Sequence, residues 1–150
     1  MRNNLISTQK KVDEHYNGIR IYADTGMHQQ IIKLVKKYIK KGSTVLDVGA
    51  GEGAFSARLF DEGYQVTALD IDEKKWKATQ VEFKNLDINK PLPQSIDKVF
   101  DAVVCLEVIE HIENPWNLFR EIYQMSNDDA TLVLSTPNVT SFWSRLMFLR

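Results

Sequence analysis

The stretch Val45-Leu46-Asp47-Val48-Gly49-Ala50-Gly51-Glu52-Gly53 leaves the chain little freedom in what it can build. Thr44, Val45 and Leu46 form a β-branched and apolar run, the mark of a buried strand. Asp47 follows, then glycines at 49, 51 and 53. Phe55 and Leu59 come next at helical spacing, and Gly63 can end that helix. The unit is strand, glycine turn, helix. Glycine suits the turn because its backbone takes positive φ and lets a ligand approach closely. The first N–H groups of the helix are left free to face whatever lies over the turn.

Gly49–Ala54 fits the dinucleotide pattern G-x-G-x-x-G/A, which alone is a weak signal. Asp47, at the end of the strand, would repel a pyrophosphate and attract a cationic amino group. Gly53 also makes the glycines alternate.

The remaining elements follow in order. Met1–Asp24 is polar and irregular, and is expected to be an arm or short helices anchored by Tyr16 and Tyr22. Ile31, Leu34, Val35, Tyr38 and Ile39 predict an amphipathic helix over about Met27–Lys40, capped by Thr25 or Asp24. Strand one is Thr44–Val48, with its helix over Gly53–Glu62. Strand two is Gln65–Leu69, followed by Asp70 and a short helix Glu73–Ala78. Strand three is Thr79–Phe83, and Pro91 and Pro93 predict a loop beyond it. Strand four is Val99–Cys105. Asn114-Pro115 opens the next helix as cap and first-turn proline. Asn127-Asp128-Asp129 reads as a turn, Ala130–Ser135 as strand five, and 139–150 as an apolar final helix. Strands alternating with crossovers predict an α/β chain with a parallel sheet covered on both faces. Its ligand crevice would lie at the carboxyl ends of the strands.

Asp70 lies close to the about 20 residues beyond Gly49 expected of an acid that reaches a ribose. Its carboxylate can accept from both ribose hydroxyls. Glu107, Glu110 and His111 would share one face if their segment is helical, and could then converge on a divalent ion such as magnesium. His111 is also a candidate base or pocket residue. Cys105 ends a buried strand and reads as core.

A chain of 150 residues suits one domain: an arm and helix over 1–42, a binding core over 43–138 and a helix over 139–150. The net charge of −1 gives no global electrostatic case for nucleic acid or acidic membranes. Lys33, Lys36, Lys37, Lys40 and Lys41 read as a solvated helix face. One cysteine fits a reducing compartment, and no apolar run reaches transmembrane length, so a cytoplasmic location is expected.

Asp-x-Gly-x-Gly-x-Gly after a strand resembles motif I of the class I S-adenosylmethionine-dependent methyltransferases. From Ser43 to Asn138, with Phe100-Asp101-Ala102-Val103-Val104 and Glu110-His111, the chain is similar to their small-molecule branch. The resemblance implies a Rossmann-like doubly wound, mostly parallel sheet of order 3-2-1-4-5, with strands six and seven absent from this chain. The chain departs from the family there, as a fragment or a shortened member, and a C-terminally truncated domain is expected. The resemblance also implies S-adenosyl-L-methionine as donor. Asp47, Gly49, Ala50, Gly51 and Gly53 would hold the methionine part and Asp70 the ribose. Ile71 and Ile88 would flank the adenine, Asp87 would meet its amino group, and Leu106 would lie beside the methionine chain. Glu107-x-x-Glu110-His111 resembles a segment of quinone-biosynthesis O-methyltransferases and of enzymes that 2′-O-methylate RNA 3′ ends, where it is associated with magnesium.

The expected function is methyl transfer to oxygen of a small metabolite, lipid or glycan precursor. The competing readings are RNA 3′-end methylation, which the balanced charge disfavours, a nicotinamide-dependent oxidoreductase, and a non-catalytic cofactor-binding module of the same fold.

Overall fold

The chain enters its fold as a hairpin, β1 His15–Tyr16 and β2 Ile19–Arg20, paired antiparallel. Asn17 and Gly18 form its two-residue loop, both at positive φ, 50° and 79°. Asn-Gly is favoured there because a loop of this length needs left-handed backbone at both positions. The expected arm or short helices are corrected here to this hairpin. The computed structural model describes residues 14–92, 96 and 98–137. The expected final helix over 139–150, Asn138, Pro93 and the first thirteen residues of the arm lie outside these.

Helix α1 spans Met27–Tyr38 and buries His28, Ile32 and Val35. Its inner face is rotated from the expected one: Ile32 is buried, while Leu34 is 45% exposed. Its N-cap is Gly26 at φ 78°, not Thr25 or Asp24.

The remaining elements are β3 Thr44–Val48, α2 Ala54–Asp61, β4 Gln65–Asp70, β5 Glu82–Asn85, β6 Phe100–Leu106, α3 Pro115–Gln124 and β7 Ser126–Ser135. The short helix expected at Glu73–Ala78 is a single 3-10 turn, Glu73–Lys75. Strand three begins later than expected, because the Val81 N–H donates to the Ala78 carbonyl and closes a turn across Thr79 and Gln80. Asn127–Asp129, expected as a turn, belongs to β7. An irregularity opposite Phe100–Ala102 absorbs the extra residues, and the Asn127 amide donates to Asp101 at 2.7 Å.

All four strand pairings in the main sheet are parallel, in a Rossmann-like α/β arrangement. The expected order 3-2-1-4-5 with strands six and seven absent is corrected. The sheet runs β5-β4-β3-β6-β7, and strands six and seven are present as Phe100–Leu106 and Ser126–Ser135. The physical reason is the hairpin, whose pairing puts two strands ahead of the sheet.

Alternation along β3 and β6 sends side chains into two cores. Val45, Ala102 and Val104 pack with Val35, Phe55 and Leu59 from α1 and α2. Leu46, Val48, Val103 and Cys105 pack with Leu118 and Ile122 from α3. Burial pushes the Cys105 thiol up to about 12, in keeping with a core residue. The neighbours β4 and β6 leave β3 on opposite sides, so the crevice opens at the carboxyl end of β3. No helix among the described residues is long and apolar enough to cross a membrane.

Candidate functional site

Beyond β3, the backbone turns sharply through Gly49, Gly51 and Gly53, at φ 71°, 58° and 93°. At two of these positions a side chain has no room. A Cβ on Gly49 would stand 2.4 Å from Val108 Cγ2, and one on Gly53 would stand 2.7 Å from Ala78 Cβ. Gly51 differs: the nearest atom to its Cβ position is Tyr22 Cδ2 at 3.9 Å. The turn is therefore packed at both ends and open in the middle. Its frame is fixed by the Gly49 and Ala50 N–H groups, which donate to the Leu69 carbonyl at 2.9 and 3.0 Å.

Two carboxylates bracket the turn. Asp70, at the end of β4, accepts from the Gly51 N–H at 2.7 Å and from the Asp72 N–H at 2.9 Å. Asp47 is only 3% exposed and accepts from Ser56 Oγ at 2.5 Å. Burial pushes its carboxyl up to about 6. The Ser56 hydrogen bond opposes that rise and the Asp70 charge adds to it.

A cavity of about 360 Å³ lies over the turn. Of the residues singled out in the sequence, Asp47, Gly49, Ala50, Gly51, Leu106, Glu107, Glu110 and His111 line it. Gly53, Asp70, Ile71, Asp87 and Ile88 do not. Ile71 is 66% exposed, and Ile88 packs on the α3-side core. The Asp87 carboxylate accepts from the Asn89 N–H at 3.0 Å and pairs with Lys90 at 3.3 Å, and these contacts hold it below the usual carboxylate range. Of the residues expected to meet adenine, Ile71 is exposed, while Asp87 and Ile88 are half-buried outside the cavity.

Glu107, Glu110 and His111 meet at the cavity wall, but not as one helical face. Glu107 takes φ 55°, and a 3-10 turn, Ile109–His111, follows. The Glu107 N–H donates to the Ser135 carbonyl at 3.2 Å, and Ser135 Oγ donates to the Glu107 carboxylate at 2.9 Å. Among the described residues no group of three His, Cys, Asp or Glu side chains could hold a metal ion. As placed, Glu107, Glu110 and His111 do not form such a group. The expectation rested on helical spacing that the left-handed Glu107 breaks.

The roof of the cavity was not foreseen. Arg20, Tyr22 and His28 line it from the hairpin and α1, and Glu52 lines it from the turn. Tyr22 Oη donates to Glu52 Oε1 at 2.6 Å, and the Lys77 ammonium pairs with the other oxygen. Lys77 and then Tyr22 hold the Glu52 carboxyl below its ordinary range. The hairpin itself is held on α2: Tyr16 Oη and the Asn17 amide donate to Asp61 at 2.7 and 2.9 Å. The signal for this roof was Asn17-Gly18, a hairpin dipeptide.

The site invites comparison with known proteins. Residues 20–150 match a family model described as a methyltransferase domain. The ubiquinone biosynthesis O-methyltransferase of Rickettsia typhi is 32% identical over 102 residues, covering 64% of this chain and 42% of that protein. Its counterpart in Rickettsia bellii is 32% identical over 118 residues, covering 73% of this chain and 49% of that protein. The chain therefore spans under half the length of these curated relatives. Among solved structures, magnesium protoporphyrin IX methyltransferase from Synechocystis, with bound S-adenosylmethionine, superposes with a TM-score of 0.58 at 24% identity. That match covers 76% of this chain and 61% of the other and speaks for the fold.

Proposed function

Since the chain belongs to the class I S-adenosylmethionine-dependent methyltransferase family, we propose that it transfers a methyl group to an oxygen of a small molecule. The observation that carries this reading is the Gly51 N–H bound to Asp70 at 2.7 Å beside a turn whose middle is open. Such a frame suits a nucleoside with no phosphate: carboxylates stand where a pyrophosphate would need donors. Oxygen as the acceptor atom is supported by the relatives named above, which are O-methyltransferases.

The bound donor supplies an electrophilic methyl on a sulfonium, with a neutral thioether as leaving group. This chain's residues then have three tasks. Ionised Asp47 draws the cationic amino group to the end of β3. Asp70 spends one lone pair of each oxygen on backbone N–H groups and keeps the others for the two ribose hydroxyls. His111, at the cavity wall, takes the proton of the acceptor hydroxyl or orients it. Holding acceptor and methyl in line supplies much of the rate. No metal step is needed for these tasks.

Calorimetric titration with S-adenosylhomocysteine tests the reading. Saturable binding that is lost in Asp70→Ala supports it and justifies a screen of hydroxyl-bearing small molecules. Absence of binding to the unsubstituted protein defeats it.

A further inference from the structure

The rotation of α1 that buries Ile32 carries two large apolar side chains out of the core. Leu34 is 45% exposed, and Tyr38, one turn on, is 61% exposed. Four residues apart, they stand on one face of the helix. Lysines surround them. Lys33 and Lys37 each precede one of the pair, Lys40 and Lys41 follow the last turn, and all four are exposed. The Lys37 ammonium lies over the Tyr38 ring, 4.8 Å from its centroid. Among the described residues none of these four lysines is paired with a carboxylate. Lys36, on another flank of the helix, is paired with Glu62 at 2.7 Å. From Thr25 to Leu46 the chain has five lysines and no acidic residue. The net charge of −1 thus hides a local basic surface on an otherwise acidic chain.

We propose that the outer face of α1 docks on an anionic lipid bilayer surface. Exposed apolar side chains scattered singly are ordinary. Two neighbours set inside a cluster of unpaired lysines match the layering of a bilayer surface. Lys33, Lys37, Lys40 and Lys41 meet the headgroup phosphates, and Leu34 and Tyr38 enter the boundary between headgroups and acyl chains. Tyrosine suits that depth, with an apolar ring and a polar tip. The cluster holds no arginine, the side chain whose planar fork grips phosphates and guanine edges, and its centre is apolar. Both features favour lipid over nucleic acid. Of α1, only His28 in the first turn lines the cavity, so docking through the last turns leaves the cavity free. The contact is peripheral and reversible, since two apolar side chains make no anchor.

The test sediments the protein with two kinds of vesicle: phosphatidylcholine alone, and phosphatidylcholine with phosphatidylglycerol in equal parts. The expected result is binding to the anionic vesicles that is about tenfold or more weaker on the neutral ones. It is lost in about 1 M salt, where the screening length falls to about 3 Å. Lys33→Glu with Lys37→Glu weakens it by about tenfold or more. Leu34→Ser with Tyr38→Ser weakens it by about tenfold while every charge stays. All four positions are exposed, so thermal melts of both variants should match the unsubstituted protein. No binding to the anionic vesicles overturns the proposal. Full binding by either variant also overturns it. Tighter binding to a short RNA duplex than to the vesicles overturns it too, and assigns the lysines to nucleic acid. If a variant does not fold, amide signals of the unsubstituted protein with anionic bicelles decide. Shifts centred on Lys33–Lys41 support the proposal, and shifts centred elsewhere refute it.

Discussion

The Asp70 carboxylate accepts a hydrogen bond from the Gly51 N–H at 2.7 Å, which ties the end of β4 to the middle of the glycine turn. One side chain thus shapes the turn and presents acceptors beside it. Asp70→Asn keeps an oxygen for Gly51 but gives up the charge and half of the acceptors. Its NH2 would face the Asp72 N–H, so it is expected to cost about 1–3 kcal/mol of stability while weakening S-adenosylhomocysteine by about tenfold or more. Thermal melts paired with calorimetry check both halves.

Asp47 makes the protein's stability depend on pH. Its folded value, about 6, lies above the ordinary value of 3.8 for an unburied carboxyl. This group's contribution is therefore complete below pH 3.8 and is lost as pH rises through 6. Asp47→Asn, which can still accept from Ser56, should stabilise the free protein by up to about 3 kcal/mol at pH 8 and by little at pH 4. Denaturant titrations at the two pH values measure this. Cofactor affinity should move the other way, falling below pH 6 in the unsubstituted protein and losing that dependence in Asp47→Asn.

Gly49 and Gly51 should respond differently to one methyl group. Gly49→Ala meets Val108 at 2.4 Å as well as a left-handed backbone, and should cost about 2–4 kcal/mol of stability. Gly51→Ala meets only the left-handed backbone and should cost about 1–2 kcal/mol. Its methyl group would occupy the open face, so S-adenosylhomocysteine binding should suffer more than folding does. Melting and titration of both variants distinguish packing from ligand space.

Magnesium should leave S-adenosylhomocysteine affinity unchanged, with chelator giving the same result. The Glu107 carboxylate is engaged by Ser135, and no metal-holding group forms among the described residues. A tightening on adding magnesium, abolished in Glu110→Gln, would contradict this.

What the sequence determined on its own was whatever a few adjacent residues decide. Thr44–Val48 as a strand, the glycine turn after it and Asn114 as the cap of α3 all follow from local backbone preference, and the Asn114 side chain does accept from the Asn117 N–H. The Asn17-Gly18 hairpin was equally local and legible. Overlooking it hid two strands and with them the sheet's numbering. Only tertiary structure decided the cavity. Tyr22 reaches Glu52 across 30 residues, and His28 reaches Phe55 because α1 docks with Ile32, not Leu34, inward. Periodicity allowed either face, and the core against α2 chose between them. The left-handed Glu107 was hidden for the same reason. Its conformation is costly in isolation and is held by Ser135, a residue on a different strand.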